Sequence, residues 1–241
     1  MEKTLQKDIV EWDIVNWSRA LDFWDNKVTE LVASFLSENK TPKVLDLGGR
    51  NGGISLFWAL KGCDVVWSDI DESGLENAKN LHRKYGLEDR VRYEIVNSLN
   101  IPYTGEFDII CLKSVMGAVY GECGGQKALE QMIRQIQKAL KPGGYLFIAE
   151  NLEGSRHHMF LRKKLRKWGS TWHYFSIPEL KEDLSSFKDI HADSFGLIGL
   201  FGRGSFLNKL FSSFDKKFDH KVSENKRYII SLICRSNDQL Q

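Results

Sequence analysis

The residues with the clearest chemical meaning lie between Lys43 and Ser55, in the sequence KVLDLGGRNGGIS. A short apolar run leads into four closely spaced glycines and then into an apolar stretch typical of a helix. Glycines let the backbone turn sharply and let a ligand approach closely, while the first N–H groups of a helix can hold an anion. The pattern predicts a ligand-binding turn between a strand and a helix.

An acid follows at the end of the next predicted strand, where Asp69 stands 21 residues after Gly48. A carboxylate at that place can accept hydrogen bonds from the hydroxyls of a ribose. The dinucleotide pattern G-x-G-x-x-G is not met, because Arg50 occupies the place of its middle glycine, and no Walker loop is present. We therefore expect a nucleoside-containing cofactor, and a pyrophosphate is disfavoured.

Short apolar runs alternate with helical stretches along most of the chain, after an amphipathic helix over residues 18–38. This alternation predicts an α/β fold with a parallel sheet that is covered by helices on both faces. The predicted strands are 44–47, 65–70, 91–96, 107–112 and 144–150, and the helices between them are about 52–61, 72–85 and 125–139.

Five of these segments, in order, resemble the motifs of the class I S-adenosylmethionine-dependent methyltransferases. The glycine-rich segment resembles the first motif, and Val65 to Lys79 resembles the second, in which a strand-end acid holds the ribose. Glu94 to Pro102 resembles the segment beside the adenine, Phe107 to Val115 the strand at the substrate mouth, and Leu140 to Asn151 the fifth strand. Their joint occurrence over residues 44–151 is far more specific than any one of them.

The resemblance implies S-adenosylmethionine as the cofactor and assigns its contacts position by position. Asp46 would lie under the turn near the methionine part, Asp69 would bind the ribose hydroxyls, and Ile70 would pack on the adenine face. The other residues implied in cofactor binding are Gly48, Gly49, Gly52, Asn97, Ser98 and Lys113.

Two positions depart from the family pattern. Arg50 stands where the family often has glycine, so its side chain would point outward or lie near the cofactor carboxylate. Asn97, which with Ser98 would meet the adenine edge, stands where an aspartate is common. An amide can accept a hydrogen bond from the adenine amino group while it also donates one. Lys113, just beyond the fourth strand, could touch either the cofactor or the substrate.

The resemblance also implies how the sheet is completed. A last helix over 179–186, a sixth strand over 187–195 and an antiparallel seventh strand over 227–234 would follow. The expected fold is a three-layer αβα sandwich with a mostly parallel seven-stranded sheet, an antiparallel last strand and small insertions on the substrate side.

We expect one methyltransferase domain over residues 1–241, because no repeat, low-complexity tract or linker interrupts the chain. Trp12 and Trp17 precede the first helix, and in related enzymes such a segment can fold over the cofactor as a lid. The expected parts are an N-terminal helical segment or lid over 1–40, a cofactor-binding half over 41–151 and a substrate-side half over 152–241.

Methyl transfer from a sulfonium mainly requires an electron-rich acceptor atom that is placed close to the methyl group. A hydroxyl acceptor would gain from a general base, for which histidine is the usual residue. His157 and His158 follow the fifth strand and Glu150 ends it, so these three are the candidate catalytic residues. Leu112 to Val115 lacks the Asn/Asp-Pro-Pro-aromatic sequence of amine methylases, and no Pro-Cys nucleophile is present, so nucleobase methylation is not expected.

A basic segment, Arg156 to Trp168, holds six Lys and Arg, two histidines and no acid. Leu161, Leu165 and Trp168 fall on one helical face, so a solvated helix packed by this apolar stripe is one interpretation. The other is recognition of an anion, with peripheral membrane contact included. A net charge of only +2 argues against nucleic acid. The favoured acceptor is an anionic small molecule, such as a phosphorylated sugar or a lipid-linked saccharide.

The composition of the chain limits the classes of protein to which it can belong. The chain has 241 residues, 42% apolar and 27% charged, which is typical of globular rather than disordered proteins. Its four cysteines form no CxxC pair and no Cys/His ligand spacing, so neither a metal site nor a disulfide framework is expected. No apolar run approaches the roughly 20 residues that span a bilayer, and no signal peptide is recognisable, so we expect a cytoplasmic protein.

Two other functions compete with methyl transfer. The alternative is a module or partner subunit that binds S-adenosylmethionine without transfer activity of its own, and the altered Arg50 and Asn97 motivate it. A nicotinamide-dependent oxidoreductase is disfavoured by Arg50 and by the lack of a Tyr-x-x-x-Lys sequence.

Overall fold

A computed structural model describes residues 3–11, 13–165, 171–202 and 204–237 of the chain. The strands are β1 (Lys43–Leu47), β2 (Asp64–Asp69), β3 (Val91–Ile95), β4 (Phe107–Lys113), β5 (Leu140–Asn151), β6 (Lys188–Phe195) and β7 (Ile229–Arg235). The helices are α1 (Lys3–Val10), α2 (Ile14–Ser37), α3 (Gly53–Leu60), α4 (Leu75–Lys84), α5 (Met116–Cys123), α6 (Gln126–Ala139), α7 (Arg156–Leu165), α8 (Ile177–Asp183) and α9 (Gly204–Phe218).

The described strands form a seven-stranded sheet in the order β3-β2-β1-β4-β5-β7-β6. The first five strands pair in parallel, and β7 is antiparallel to both β5 and β6. The predicted fold is therefore confirmed. Because β6 runs in the same direction as the parallel strands, the segments after β1, β2, β4, β5 and β6 all leave one edge, here called the carboxyl edge.

Each face of the sheet buries an apolar layer against helices. Trp24 of α2 and Trp58 of α3 are fully buried and meet the ring of Phe147 edge-on, with centroids 5.6 and 5.0 Å away. On the other face, Leu129 of α6 and Leu180 of α8 belong to the second buried cluster. Strands β1 and β4 are buried on both faces, which explains their almost continuous apolar sequences.

The predicted helices differ from the observed ones mainly at their ends. The helix expected to begin at Ser18 begins one turn earlier, at Ile14. The helix expected over 156–168 is described up to Leu165, and Trp168 lies outside the described residues, as does Trp12. Among the described helices, none is both long and apolar enough to cross a bilayer.

Helix α5 was not predicted, because Gly117 and Gly121 weaken the helical signal of a short segment. Both glycines are needed for packing. A Cβ at Gly117 would lie 2.4 Å from the carbonyl oxygen of His173, and one at Gly121 would lie 1.9 Å from that of Thr171. The residues 171–173 therefore pack directly against α5.

Helix α7 differs from the expected apolar stripe at Leu161, which is 37% exposed. Of the side chains that the structure describes in this helix, those of His158 and Arg162 are buried. The ring of His158 stacks on Tyr228, and its Nδ1 lies 3.0 Å from the carbonyl oxygen of Leu197. A carbonyl can only accept, so Nδ1 carries a proton. Burial lowers the pKa of His158 to about 3, so the ring is neutral near pH 7.

Helix α9, in the stretch expected to be a substrate-side insertion, also turns its polar side inward. Its Ser212 and Asp215 are buried. Asp215 accepts hydrogen bonds from the N–H groups of Ile198 and Gly199, at 2.9 and 2.7 Å, and from the side-chain amide of Asn16 at 2.9 Å. These contacts fasten α9 to α2 and to residues 197–202. The large apolar side chains exposed on this helix are Phe206, Leu207, Leu210 and Phe214.

We expect Asp215→Ala to lower the free energy of unfolding by about 3 kcal/mol, because it leaves the backbone N–H groups of Ile198 and Gly199 without their acceptor and removes one acceptor of Asn16. Urea unfolding measures the change. Lys216→Ala, at the exposed neighbouring position, is the matched control and should shift the value by less than about 0.5 kcal/mol. Equal effects of the two substitutions would show that Asp215 does not anchor the helix.

We expect the buried neutral ring of His158 to make stability depend on pH. Its pKa is depressed in the folded state, so its contribution is present above about pH 6.5 and is lost as the pH falls towards 3. Between about pH 7.5 and about pH 5 the loss is about 2 kcal/mol. His158→Phe keeps an aromatic ring on Tyr228 and should lose that part of the dependence, measured by urea unfolding at both pH values.

The matched control for His158→Phe is His157→Gln at the exposed neighbouring position, which should retain the pH dependence of the unaltered protein. A His158→Phe protein with that same dependence would contradict the assignment of the neutral ring.

Candidate active site

The turn after β1 is shaped by hydrogen bonds to a single carbonyl group. The N–H groups of Gly48 and Gly49 both donate to the carbonyl oxygen of Ser68, at 2.9 and 2.8 Å. Gly48 has a φ of 76°, a conformation that favours glycine, and a Cβ at Gly49 would lie 2.5 Å from the ring of Trp67. Gly52 also has a positive φ, and a Cβ there would lie 2.8 Å from that of Ala78 in α4. The glycines therefore give the turn its shape.

Asp46 lies beneath this turn, and it is buried. Its Oδ2 accepts the hydroxyl of Ser55 at 2.5 Å, and its carboxylate also accepts the backbone N–H of Ser55. Burial raises the pKa of Asp46 to about 7. The carboxylate thus holds the first turn of α3, where a negative charge is favourable, and does not line the cavity described below.

Asp69 ends β2 at the level of the turn. Its Oδ2 accepts the N–H of Arg50 at 2.9 Å, and its Oδ1 accepts the N–H of Ile70 at 2.7 Å. Each carboxylate oxygen can accept at least one more hydrogen bond. The two backbone bonds fix the orientation of the carboxylate and leave acceptor capacity for hydroxyl groups.

A cavity of about 720 Å³ opens in front of the turn. It is bounded by residues that follow β1, β2, β3 and β4 at the carboxyl edge. The structure brings together here most of the residues predicted to bind the cofactor, namely Gly48, Asp69, Ile70, Asn97, Ser98 and Lys113. Its volume lies in the range of small-molecule sites, which is about 300–1,000 Å³.

The cavity has a second wall that the sequence did not predict. This wall, here called the α5 wall, comprises Ala118, Val119, Glu122 and Cys123 of α5 together with Trp172. Strands β2 and β4 flank β1 on opposite sides, so the α5 wall and Asp69 lie on opposite sides of the turn. In the sequence, Gly117 and Gly121 lie four residues apart, which indicates that another segment contacts α5 closely. They do not identify that segment.

At the predicted adenine end, Ile70 is 61% exposed within the boundary of the cavity. The Oδ1 of Asn97 accepts the N–H of Leu99 at 2.9 Å, which fixes the side-chain amide. The Nδ2 group of Asn97 can therefore donate a hydrogen bond, and its Oδ1 can accept one more.

The other end of the cavity carries charge of both signs. Lys113 and Arg50 line it together with Glu11, whose Oε1 accepts from the side-chain amide of Asn51 at 2.7 Å. The Nζ of Lys113 lies 4.5 Å from the ring centroid of Trp17. Burial lowers the pKa of Lys113 to about 8, although the charge of Glu11 acts in the opposite direction. Glu11 was not predicted, because its place follows only from the packing of α1 on α3.

The three candidate catalytic residues do not line this cavity. His157 is exposed on α7, and His158 is buried against Tyr228. Glu150 is buried, and its Oε2 accepts the N–H of Met116 at 2.9 Å, so it holds the start of α5. Burial raises the pKa of Glu150 to about 7. His158 and Glu150 therefore support α7 and α5, and they do not line the cavity.

No group of three or more His, Cys, Asp or Glu side chains is arranged to hold a metal ion in the part of the chain that the structure describes. Three of the cysteines are buried, and Cys123 is exposed. The lining of the cavity provides carboxylates, the side chains of Lys113 and Arg50, a thiol and apolar side chains.

Comparisons with known proteins agree with this geometry. The methyltransferase GfsG of Streptomyces halstedii is 30% identical over 127 residues, which cover 52% of this chain and 43% of the relative. The ubiquinone/menaquinone biosynthesis C-methyltransferase UbiE of Shewanella frigidimarina is 30% identical over 132 residues, which cover 53% of this chain and 48% of the relative. The chain thus spans about half the length of the curated relatives it matches.

A solved structure of a SAM-dependent methyltransferase from Methanosarcina mazei shares the fold, with a TM-score of 0.58 and 19% identity, over 83% of this chain and 94% of the other. Residues 38–195 match the family model of a methyltransferase domain. The family match covers the turn, Asp69, the α5 wall and the sheet from β1 to β6, and the chain therefore belongs to the class I S-adenosylmethionine-dependent methyltransferases.

Proposed function

We propose that this protein transfers the methyl group of S-adenosylmethionine to a small-molecule acceptor. The observation that carries the proposal is the cavity of about 720 Å³ that joins the glycine turn and the carboxylate of Asp69 to the α5 wall. A site of this size can hold a nucleoside cofactor with an acceptor beside it.

The residues at the strand ends fit the adenosine part of the cofactor. Asp69 has acceptor capacity for the two ribose hydroxyls, and its orientation is fixed by two backbone N–H groups. Ile70 offers an exposed apolar surface for one face of the adenine. Asn97 and Ser98 bound the cavity where the edge of the base would lie.

The charged end of the cavity fits the amino acid part. A carboxylate of the cofactor would meet Lys113 or Arg50, and its ammonium group would meet Glu11. Residues 3–11 pack over α3, where a Cβ at Gly53 would lie 2.1 Å from the carbonyl oxygen of Ile9. Of the described residues in the expected lid, Glu11 lines the cavity and Trp17 is buried.

When bound, S-adenosylmethionine supplies an electrophilic methyl carbon, so that a lone pair of the acceptor forms the new bond while the carbon–sulfur bond breaks and S-adenosylhomocysteine leaves. The protein has to position the acceptor and exclude water. Ala118, Val119 and Trp172 provide an apolar surface for both tasks. Because the described lining contains no histidine, a proton released by the acceptor would pass to water or to Glu122.

The α5 wall also limits the acceptor. It carries one carboxylate and, among the described residues, no basic side chain. An anionic acceptor, such as a phosphorylated sugar or a lipid-linked saccharide, would therefore have to share Lys113 and Arg50 with the cofactor carboxylate. A carbon acceptor is the second candidate, because one relative is named a C-methyltransferase.

We expect Asp69→Asn to weaken the binding of S-adenosylmethionine about 10- to 100-fold, because charge-assisted hydrogen bonds to the ribose are replaced by weaker ones. A cofactor at about 100 times Kd should stabilise the unaltered protein by about 2.7 kcal/mol, which thermal unfolding detects. Asp64→Asn, at the exposed start of the same strand, is the matched control and should bind normally. Normal binding by Asp69→Asn would contradict the ribose assignment.

Transfer activity is tested by incubating the protein with methyl-labelled S-adenosylmethionine and fractionated cell extract. Label should enter a small-molecule product with the unaltered protein and with Asp64→Asn, and at least 10-fold more slowly with Asp69→Asn when the cofactor is kept below the Kd of the unaltered protein. Tight cofactor binding without any labelled product would instead support the alternative, a binding module or partner subunit.

We expect the ammonium group of Lys113 to make cofactor binding depend on pH. Below about pH 8 the amine is protonated and attracts the cofactor carboxylate, and above that value the attraction is lost. Lys113→Met should therefore bind about 10-fold more weakly than the unaltered protein at about pH 7, with the difference narrowing at about pH 9. Isothermal titration at both pH values measures this effect.

Lys127→Met, at an exposed position of α6, is the control for Lys113→Met and should follow the unaltered protein. Parallel pH profiles for Lys113→Met and the unaltered protein would remove Lys113 from the cofactor site.

A further inference from the structure

The outward face of α9 carries four large apolar side chains that are partly or largely exposed. Phe206 is 76% exposed, Leu210 is 52% exposed, and Phe214 and Leu207 are 44% and 41% exposed. The spacing of 206, 210 and 214 places these side chains in one row along the helix. Single exposed apolar residues are common on protein surfaces, but a continuous row of this kind marks an interaction surface.

The charged side chains of α9 are divided between its outward and inward faces. Lys209, Lys216 and Lys217 are exposed, whereas the acid of the helix, Asp215, is buried and bonded to backbone N–H groups. The outward side of the helix therefore presents lysines beside the apolar row. A partner that fits this face must offer apolar contact and negative charge together.

Helix α7 extends the same kind of surface. Phe160 is 65% exposed on it, and Arg156 and Lys164 are exposed nearby, while the helix contains no acid. Both helices pack against residues 197–202: His158 of α7 contacts Leu197 and Phe201, and Asn208 of α9 donates to the carbonyl oxygen of Gly199 at 3.3 Å. The two helices are therefore neighbours at the carboxyl edge.

We propose that the outward face of α9, together with that of α7, docks on the surface of an anionic lipid bilayer. An interfacial helix combines Phe and Leu on one face with Lys or Arg beside them, and it gains from apolar burial and from attraction to anionic lipids. A protein partner fits less well, because lysine is depleted at protein interfaces. A second copy fits less well too, because it would bring lysines against lysines.

Docking at this edge has a consequence for the cavity. Helix α7 follows β5, and residues 197–202 follow β6, so both leave the carboxyl edge, where the cavity also lies. A bilayer bound by these helices would adjoin the edge of the sheet that carries the proposed site. The docking itself does not depend on methyl transfer and can be measured without cofactor.

The experiment is co-sedimentation of the full chain with vesicles of phosphatidylcholine alone and of phosphatidylcholine mixed with phosphatidylglycerol. We expect binding to the mixed vesicles at least 10-fold stronger than to the neutral ones, weakened by salt. The double variant Phe206→Ser/Leu210→Ser and the triple variant Lys209→Gln/Lys216→Gln/Lys217→Gln should each lose at least 10-fold in binding.

The matched control is Leu36→Ser/Ile95→Ser, which removes two exposed apolar side chains from α2 and β3 and should bind as the unaltered protein does. Circular dichroism checks that each variant is folded, and if the double variant Phe206→Ser/Leu210→Ser fails this check it is replaced by Phe206→Ser alone. Absence of binding to mixed vesicles, equal binding to both kinds, or an unaffected double variant would overturn the proposal. Self-association that Phe206→Ser abolishes, without vesicle binding, would overturn it in favour of a second copy.

Discussion

One carbonyl group sets the geometry of the whole site. The oxygen of Ser68 accepts the N–H groups of both Gly48 and Gly49, so the chain that leaves β1 is tied to the end of β2 within one residue of Asp69. Asp69 also accepts the N–H of Arg50, which is a second hydrogen-bonded connection between the turn and the end of β2. Because parallel pairing holds β1 and β2 in register, the turn and the carboxylate keep a fixed spacing, and the cavity forms in front of them.

Two buried carboxylates support this arrangement from below. Asp46 holds the start of α3, and Glu150 holds the start of α5, so each lies under a helix that flanks the turn. Both acids face backbone N–H groups in a helix N-terminus, which favours the ionised form, while burial raises their pKa values. The side chains that bound the cavity are thus positioned by acids that do not contact it.

The sequence predicted the sheet and the cofactor side of the cavity because both depend on local patterns. The strands are apolar runs that end at turns, and the glycines near Gly48 and the acid at position 69 are recognisable without knowledge of distant contacts. The α5 wall could not be predicted in the same way, because Trp172 reaches it only through the packing of residues 171–173 on Gly117 and Gly121. His158 and Glu150 were candidate catalytic residues because they lie at and after the end of the fifth strand in the sequence. In the structure both are buried, and they support α7 and α5.

Leu161, expected to pack α7 against the protein, is exposed for a related reason. Amphipathic periodicity shows that a helix has two faces, but it does not show which face meets the protein. Here His158 and Arg162 in α7, and Ser212 and Asp215 in α9, take the inward positions, and their hydrogen bonds replace apolar packing. Sequence patterns treat such polar residues as exposed, so the orientation of both helices followed only from the structure.

Because hydrogen bonds hold the inward faces of α7 and α9, the inward and outward faces of these helices are under different constraints. The inward polar residues are constrained by specific hydrogen bonds, but outward positions such as Phe160 and Phe206 have no role in the core. Substitutions there change little in folding and leave the strand ends untouched. Descendants of one ancestral chain could therefore acquire new binding partners on this side while they keep the residues that bound the cavity.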